Sequence, residues 1–239
     1  DDKQTVLRVP MLLASFQRHA GPKVINLNAS FIEGEGKVVE NKGSFSSEVT
    51  FDAATGEIKG ELSAKGFDAG ALEMLHPSLA LLSGLALPVE VEAEFSRRDK
   101  TTPFIAKLTV DGKGGTFTSR EFPQAIPLDA VHIEAAAQDG LRTVAIKDLS
   151  LRTGTVSLTG KGALTLSETG PAEAGPGGEF EVVAENMQVD DLAHYWPLRL
   201  APQSRAWVTE RVKGGHVPHA EAKIHFAPED FQAENLPQS

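Results

Sequence analysis

Residues 89–96 read VEVEAEFS, and their alternation decides the fold class. Val89, Val91, Ala93 and Phe95 occupy every second position, with Glu90, Glu92, Glu94 and Ser96 between them. Successive side chains of a strand point to opposite faces, so this octet is a strand with one apolar and one wet face. The same period occurs upstream in Ile25, Leu27, Ala29 and Phe31, then in Phe45, Val49 and Phe51. It continues in Ile58, Gly60, Leu62 and Ala64, set against Glu57, Lys59, Glu61 and Ser63. Downstream it returns at residues 104–110, 131–137, 141–146, 156–166, 180–184 and 222–226. Roughly ten strands thus follow one another with turn signals between them. Short connections favour antiparallel neighbours, so a mainly β, mostly antiparallel meander is expected.

Thr55-Gly56 and Thr153-Gly154 each open a strand in the same alternating register, which hints at a repeated unit. Helical signals are few. Asp68 is placed to cap a short helix carrying Leu72 and Leu75, and Pro77 disfavours helical geometry at His76 and breaks the run before Leu79 and Leu82. A second helix starts at Pro202, runs through Trp207 and Val212, stops at Gly214-Gly215 and packs against one end of the sheet. Two or three short helices are expected in all. Residues 167–178, SETGPAEAGPGG, have no large apolar side chain and read as a mobile loop within a single unit spanning residues 1–239.

Composition excludes several classes of partner. The 239 residues carry 23 Lys and Arg against 33 Asp and Glu, a formal charge of −10, the wrong sign for gripping nucleic acid. There are no cysteines, hence no disulfide framework and no thiolate metal site. No apolar run approaches the roughly 20 residues of a spanning helix, and the opening DDKQTVLRVP lacks the pattern of a signal peptide. The absence of an initiator Met and the ending NLPQS suggest a piece of something longer.

Three constellations invite chemistry, and each has a plainer reading. DGKGG at residues 111–115 lacks the Gly-x4-Gly-Lys-Ser/Thr spacing that cradles phosphate, and reads as a hairpin turn. His216, His219 and His225 with Glu221 are suitable ligand types for zinc or copper, but their spacing matches no strong motif and Pro218 interrupts it, so exposed histidines are expected. Asp190, Asp191 and His194 could tune one another as acid and base, yet Tyr195-Trp196-Pro197 beside them reads as a packing corner. Without a Gly-x-Ser-x-Gly elbow, a His-Glu-x-x-His or a dinucleotide fingerprint, neither catalysis nor a cofactor is expected.

What remains is the apolar face itself. A closed sandwich or barrel produces the same alternation as an open trough. Exposing such a face costs on the order of 1.5–3 kcal/mol per large side chain, so another sheet, the helices or a ligand must cover it.

The stretch YWPLRLAPQSRAWVTERVKGGHVPHAEAKIHF at residues 195–226 bears on the choice. Its Tyr195-Trp196-Pro197, Arg205-x-Trp207-Val208 and Gly214-Gly215-x-Val217 resemble a segment of the AsmA-like superfamily, in particular its YhdP-type members. The run from Gly66-Phe67-Asp68 through Leu75 and Pro77 to LLSGLALPVEVEAEFS, and DLSLRTGTVSLTGKGAL at residues 148–164, look like the same family's repeat style. The resemblance covers residues 55–228; residues 1–50 fit it by strand pattern alone. It implies an extended, curved sheet forming an open apolar groove, in the periplasm, as part of an envelope protein held by an inner-membrane anchor. The implied partners are phospholipids, the inner membrane through that anchor, and outer-membrane components, and the implied role is lipid transport between the two membranes. Ile58, Leu62, Val89, Val91, Phe95, Leu108, Val110, Val131, Ile133, Val156, Leu158 and Leu164 would then line the groove, with Gly60, Ala64, Gly160 and Gly162 as spacers between them. Acyl chains would gain about 0.8 kcal/mol per buried CH2 there without directional contacts, which suits sliding. The chain departs from the family in carrying no membrane anchor and in its small share of a typical member's length.

Overall fold

A computed structural model describes residues 5–18, 21–35, 41–70, 84–120, 122–165, 177–198 and 201–227. Their strands form one open antiparallel sheet. In chain order they are β1 (Thr5–Arg18), β2 (Lys23–Glu35), β3 (Asn41–Phe51), β4 (Ile58–Asp68), β5 (Leu85–Ala86), β6 (Pro88–Arg97), β7 (Ile105–Phe117), β8 (Ile126–Gln138), β9 (Thr143–Thr153), β10 (Val156–Thr165), β11 (Gly177–Gln188) and β12 (His216–Phe226). Order in space follows order in sequence, except that the two-residue β5 sits beside β7 in line with β6. Among the described residues β1 and β12 each pair on one side alone and not with each other, so the sheet is open and is not a barrel.

The sequence expectation holds for fold class and for the ten strands it named. β1 and β5 are additional. β1 escapes a period-two reading because Met11, Leu12 and Leu13 are consecutive and Pro10 stands inside it. Residues 71–83, where a helix was expected, lie outside the described residues, as do residues 166–176 of the expected loop; Gly177 and Gly178 belong to β11. Asp68 closes a turn and ties it to the corner between β5 and β6, its Oδ1 accepting from the amides of Gly70 at 2.9 Å and Leu87 at 3.3 Å.

One expectation is overturned. DGKGG is not a hairpin turn: residues 111–115 run through the middle of β7, paired to β6 and β8. Its glycines serve close approach. A Cβ on Gly112 would stand 2.7 Å from Leu87 Cδ2, and one on Gly115 would stand 2.8 Å from Leu87 Cα. The corner between β5 and β6 therefore folds down onto β7 through the space that two missing side chains leave. Gly114, at φ +68°, adopts a backbone region closed to most other residues.

That corner belongs to the packed rim of the sheet. Leu87, Val89, Ile126, Leu128 and Ala69 are buried together, with Phe67, Phe117, Phe122 and Tyr195 packed around them. The Phe117 and Phe122 rings meet edge to face at 5.8 Å. Tyr195 comes from α1 (Leu192–Tyr195) in the connection between β11 and β12. α2 (Pro202–Arg211) begins at Pro202 as expected, but it buries none of its residues. It is tied instead to the α1 segment, where Arg205 donates to the carbonyls of Ala193 at 3.0 Å and Trp196 at 3.2 Å. Among the described residues, the opposite rim includes the loops at residues 52–57, 98–104 and 139–142.

Candidate functional site: an apolar face crossing every long strand

Directly paired residues of an antiparallel sheet share a face, so the pairing register traces rows of side chains across the strands. One row runs Leu12, Ala29, Phe45, Ala64, Val91, Val110, Ile133, Leu149, Gly160, Val182, Ala222. It crosses all eleven long strands without a polar residue. Two residues along, the next row holds Leu62, Ala93, Leu108, Ala135, Ile146, Gly162, Phe180 and Ile224, with Ser47 its one hydroxyl. Flanking rows carry Phe95 and Leu164 on one side and Val131 and Leu158 on the other. At about 4.8 Å between strands, eleven strands give a face about 48 Å long; four rows at about 6.8 Å spacing make it about 20 Å wide.

β-Bulges keep the rows in phase. In β9, Ile146 and Leu149 both face the apolar side although three residues apart, because Lys147 and Asp148 together oppose a single residue of β10. The extra residue is absorbed by the bulge, so the alternation continues in phase on either side of it.

All twelve residues named from the sequence fall on this face. Ten of them are half-buried, covered by their lateral neighbours. Val89 and Val156 differ: each is 2 % exposed, enclosed at the packed rim. Among the described residues no second sheet lies over the others. The spacer role assigned to glycine is corrected for Gly60 and Gly162. A Cβ on Gly60 would stand 2.7 Å from Phe95 Cε2, and one on Gly162 would stand 2.8 Å from Phe180 Cγ, so each glycine is roofed by an aromatic ring from the next strand. Gly160 is more open, its nearest side-chain atoms being Val182 Cγ2 at 3.6 Å and Leu149 Cδ2 at 3.7 Å from such a Cβ.

The other face is a lattice of charge. Lys65 meets Glu90 at 3.4 Å, Lys161 and Lys223 both meet Glu181, at 3.3 and 2.8 Å, and His132 Nδ1 lies 2.9 Å from Asp111 Oδ1. The Lys223 and Lys161 bonds hold Glu181 below the usual carboxylate range, and the Asp111 bond raises His132. Two depressions of about 520 and 580 Å³ lie among these long side chains, the first lined by residues such as Glu48, Glu61, Glu94 and Lys107 and the second by Asp148, Lys161, Glu181 and Lys223. They are gaps in a hydrated surface, too charged to take an acyl chain.

The weighed chemical groups are dispersed. His219 Nε2 sits 3.0 Å from Glu221 Oε1, and His216 Nδ1 lies 3.2 Å from the side-chain nitrogen of Gln188. His225 is paired in register with Glu179 at the far end of β12. Asp190 Oδ1 accepts from the Gly214 amide at 3.0 Å and so pins the loop after α2, while Asp191 and His194 approach no closer than 4.0 Å. Sequence reasoning missed Leu87, Ile126 and Leu128, which make the packed rim, and Arg97, which the register places on the apolar face opposite Ile58.

Compared with known proteins, the chain matches no family model, no curated protein and no solved structure. The likeness to the AsmA-like superfamily therefore rests on the quoted motifs.

Proposed function

We propose that this chain is a periplasmic lipid-binding segment of an inner-membrane-anchored envelope protein, which holds phospholipid acyl chains along the apolar face and supports lipid transport between inner and outer membranes. The observation that carries the reading is the row from Leu12 to Ala222, apolar on eleven consecutive strands. A protein core needs a compact patch of such residues; a strip about 48 Å long and open along its length suits an extended chain. Burial rewards each CH2 by about 0.8 kcal/mol wherever it lies, so binding is strong in sum and weak in position. The role is non-enzymatic and uses no cofactor.

The test is photo-crosslinking in Gram-negative cells. A photoreactive residue at Val91 or Leu158 is expected to capture phospholipid, and one at Glu92 or Thr159, on the charged face, is not. Folded protein with adducts at neither pair would overturn the lipid reading and favour a structural or adhesive module whose apolar face is sealed by protein.

A further inference from the structure

The apolar face carries a cation at its open rim. Arg97, the last residue of β6, follows Val91, Ala93 and Phe95 in the inward register and is paired with Ile58. Its guanidinium carbon lies over the Phe104 ring, 4.9 Å from the centroid, which shields one side of the cation. Of its five N–H donors, one makes a long 3.5 Å contact, from Nη2 to the Gly56 carbonyl, and Nε is buried with no acceptor. Lys100 converges on the same turn: a Cβ on Gly56 would stand 3.2 Å from Lys100 Cε, and Nζ is one bond further.

The neighbouring carboxylates are engaged elsewhere. Asp52 accepts from the amides of Ala54 and Thr55, and Glu57 meets Lys59 at 2.6 Å. Asp99 accepts from the Thr101 amide and hydroxyl and the Thr102 amide, bonds that hold its pKa down to about 2. Among the described residues no carboxylate lies within ion-pair distance of Arg97 or Lys100. Two uncompensated cations at the edge of an apolar strip match an amphiphile whose anionic end stands at the rim while its chains lie on the floor.

We infer that Arg97 and Lys100 form a rim site for a phosphate group, supplied by the headgroup of a glycerophospholipid bound on the apolar face. The inference rests on the acyl-chain reading and adds where along the face a headgroup is held. The planar guanidinium takes two phosphate oxygens side by side, with the Lys100 ammonium as a mobile second charge.

The experiment measures binding of two fluorescent lipids with identical acyl chains, a phosphatidylglycerol and a diacylglycerol, offered in nonionic detergent micelles. sn-Glycerol 3-phosphate is the soluble competitor. The intact chain is expected to bind phosphatidylglycerol about tenfold more tightly than diacylglycerol. Arg97→Gln with Lys100→Gln should abolish that preference and leave diacylglycerol binding unchanged, whereas Lys107→Gln with Lys161→Gln, an equal charge change on the other face, should preserve it. Should Arg97→Gln prevent folding, Lys100→Gln alone is expected to lose about threefold of the preference, and Arg97→Lys, which keeps the charge and loses the planar fork, a similar part of it. Equal binding of the two lipids, or a preference unmoved by these variants, overturns the rim site and leaves the acyl-chain reading standing. Binding of neither lipid overturns the acyl-chain reading and the lipid source together. Glycerol 3-phosphate bound in their place, and lost with Arg97 and Lys100, would mark a site for soluble phosphate instead.

Discussion

The Phe95 ring of β6 covers Gly60 of β4, its partner in the pairing register, and fills the volume that a side chain there would need. Gly60→Ala is therefore expected to push the ring off its rotamer and lower stability by about 1–3 kcal/mol, read from chemical denaturation. Gly21→Ala, where nothing lies within 4 Å, is the control. In a Phe95→Ala background the same substitution should cost much less, because the two residues share one volume. An unchanged cost would mean that the ring does not constrain Gly60.

The rims differ in packing, and truncation should expose the difference. Leu87→Ala removes a side chain that is 2 % exposed from the centre of the packed rim, and a loss of about 2–5 kcal/mol is expected. Leu108→Ala, on the half-covered floor, should cost less than half of that. Unfolding midpoints in urea compare the two directly.

Deletion of Lys147 tests the bulge. With one residue fewer, Asp148 alone opposes Lys161, and Ile146 and Leu149, now two residues apart, both stay on the apolar side of a regular strand. The deletion variant is therefore expected to fold, by circular dichroism, and a failure to fold would mean that the bulge is needed for more than register. Lys147→Ala keeps the count and should fold normally.

His132 gives a pH dependence of known sign. Its pKa is raised, first by the hydrogen bond to Asp111 and further by the charges of Asp111, Asp148 and Glu134, with desolvation opposing. Folding therefore favours the protonated form. The stabilisation is complete below the ordinary imidazole value near 6.5 and is lost as pH rises through the raised folded value. Thermal midpoints measured between pH 5.5 and 8.5 should fall across that window in the intact chain. Asp111→Asn should flatten the fall; an identical slope in the variant would assign it to another group.

Most of this architecture was legible because half-buried strands write their faces into the sequence at every second residue. Val89 to Phe95 and Leu158 to Leu164 needed nothing further, and all twelve named residues share one face. Three things were not legible, each for a physical reason. Glycine in DGKGG serves turns and close approaches equally, and what chose between them was Leu87, more than 20 residues earlier in the chain. The bulge in β9 looked like the end of a strand at Ile146, since a phase slip and a strand terminus share one pattern. Arg97 lies just past the octet 89–96, and its place on the apolar face became visible through its pairing with Ile58 and its position over Phe104.

The plain ordering of the strands has a consequence for how such a protein can change over generations. Apart from β5, each strand lies between its own predecessor and successor in the chain. Duplicating one hairpin would lengthen the face by about 10 Å and leave the partners of every other strand as they were, apart from the two strands flanking the insertion. Losing a hairpin would shorten it by the same step. Reach is thus a quantity that this design can adjust in whole hairpins, the way a ladder is cut to length, and the chemistry of each tread is inherited unchanged.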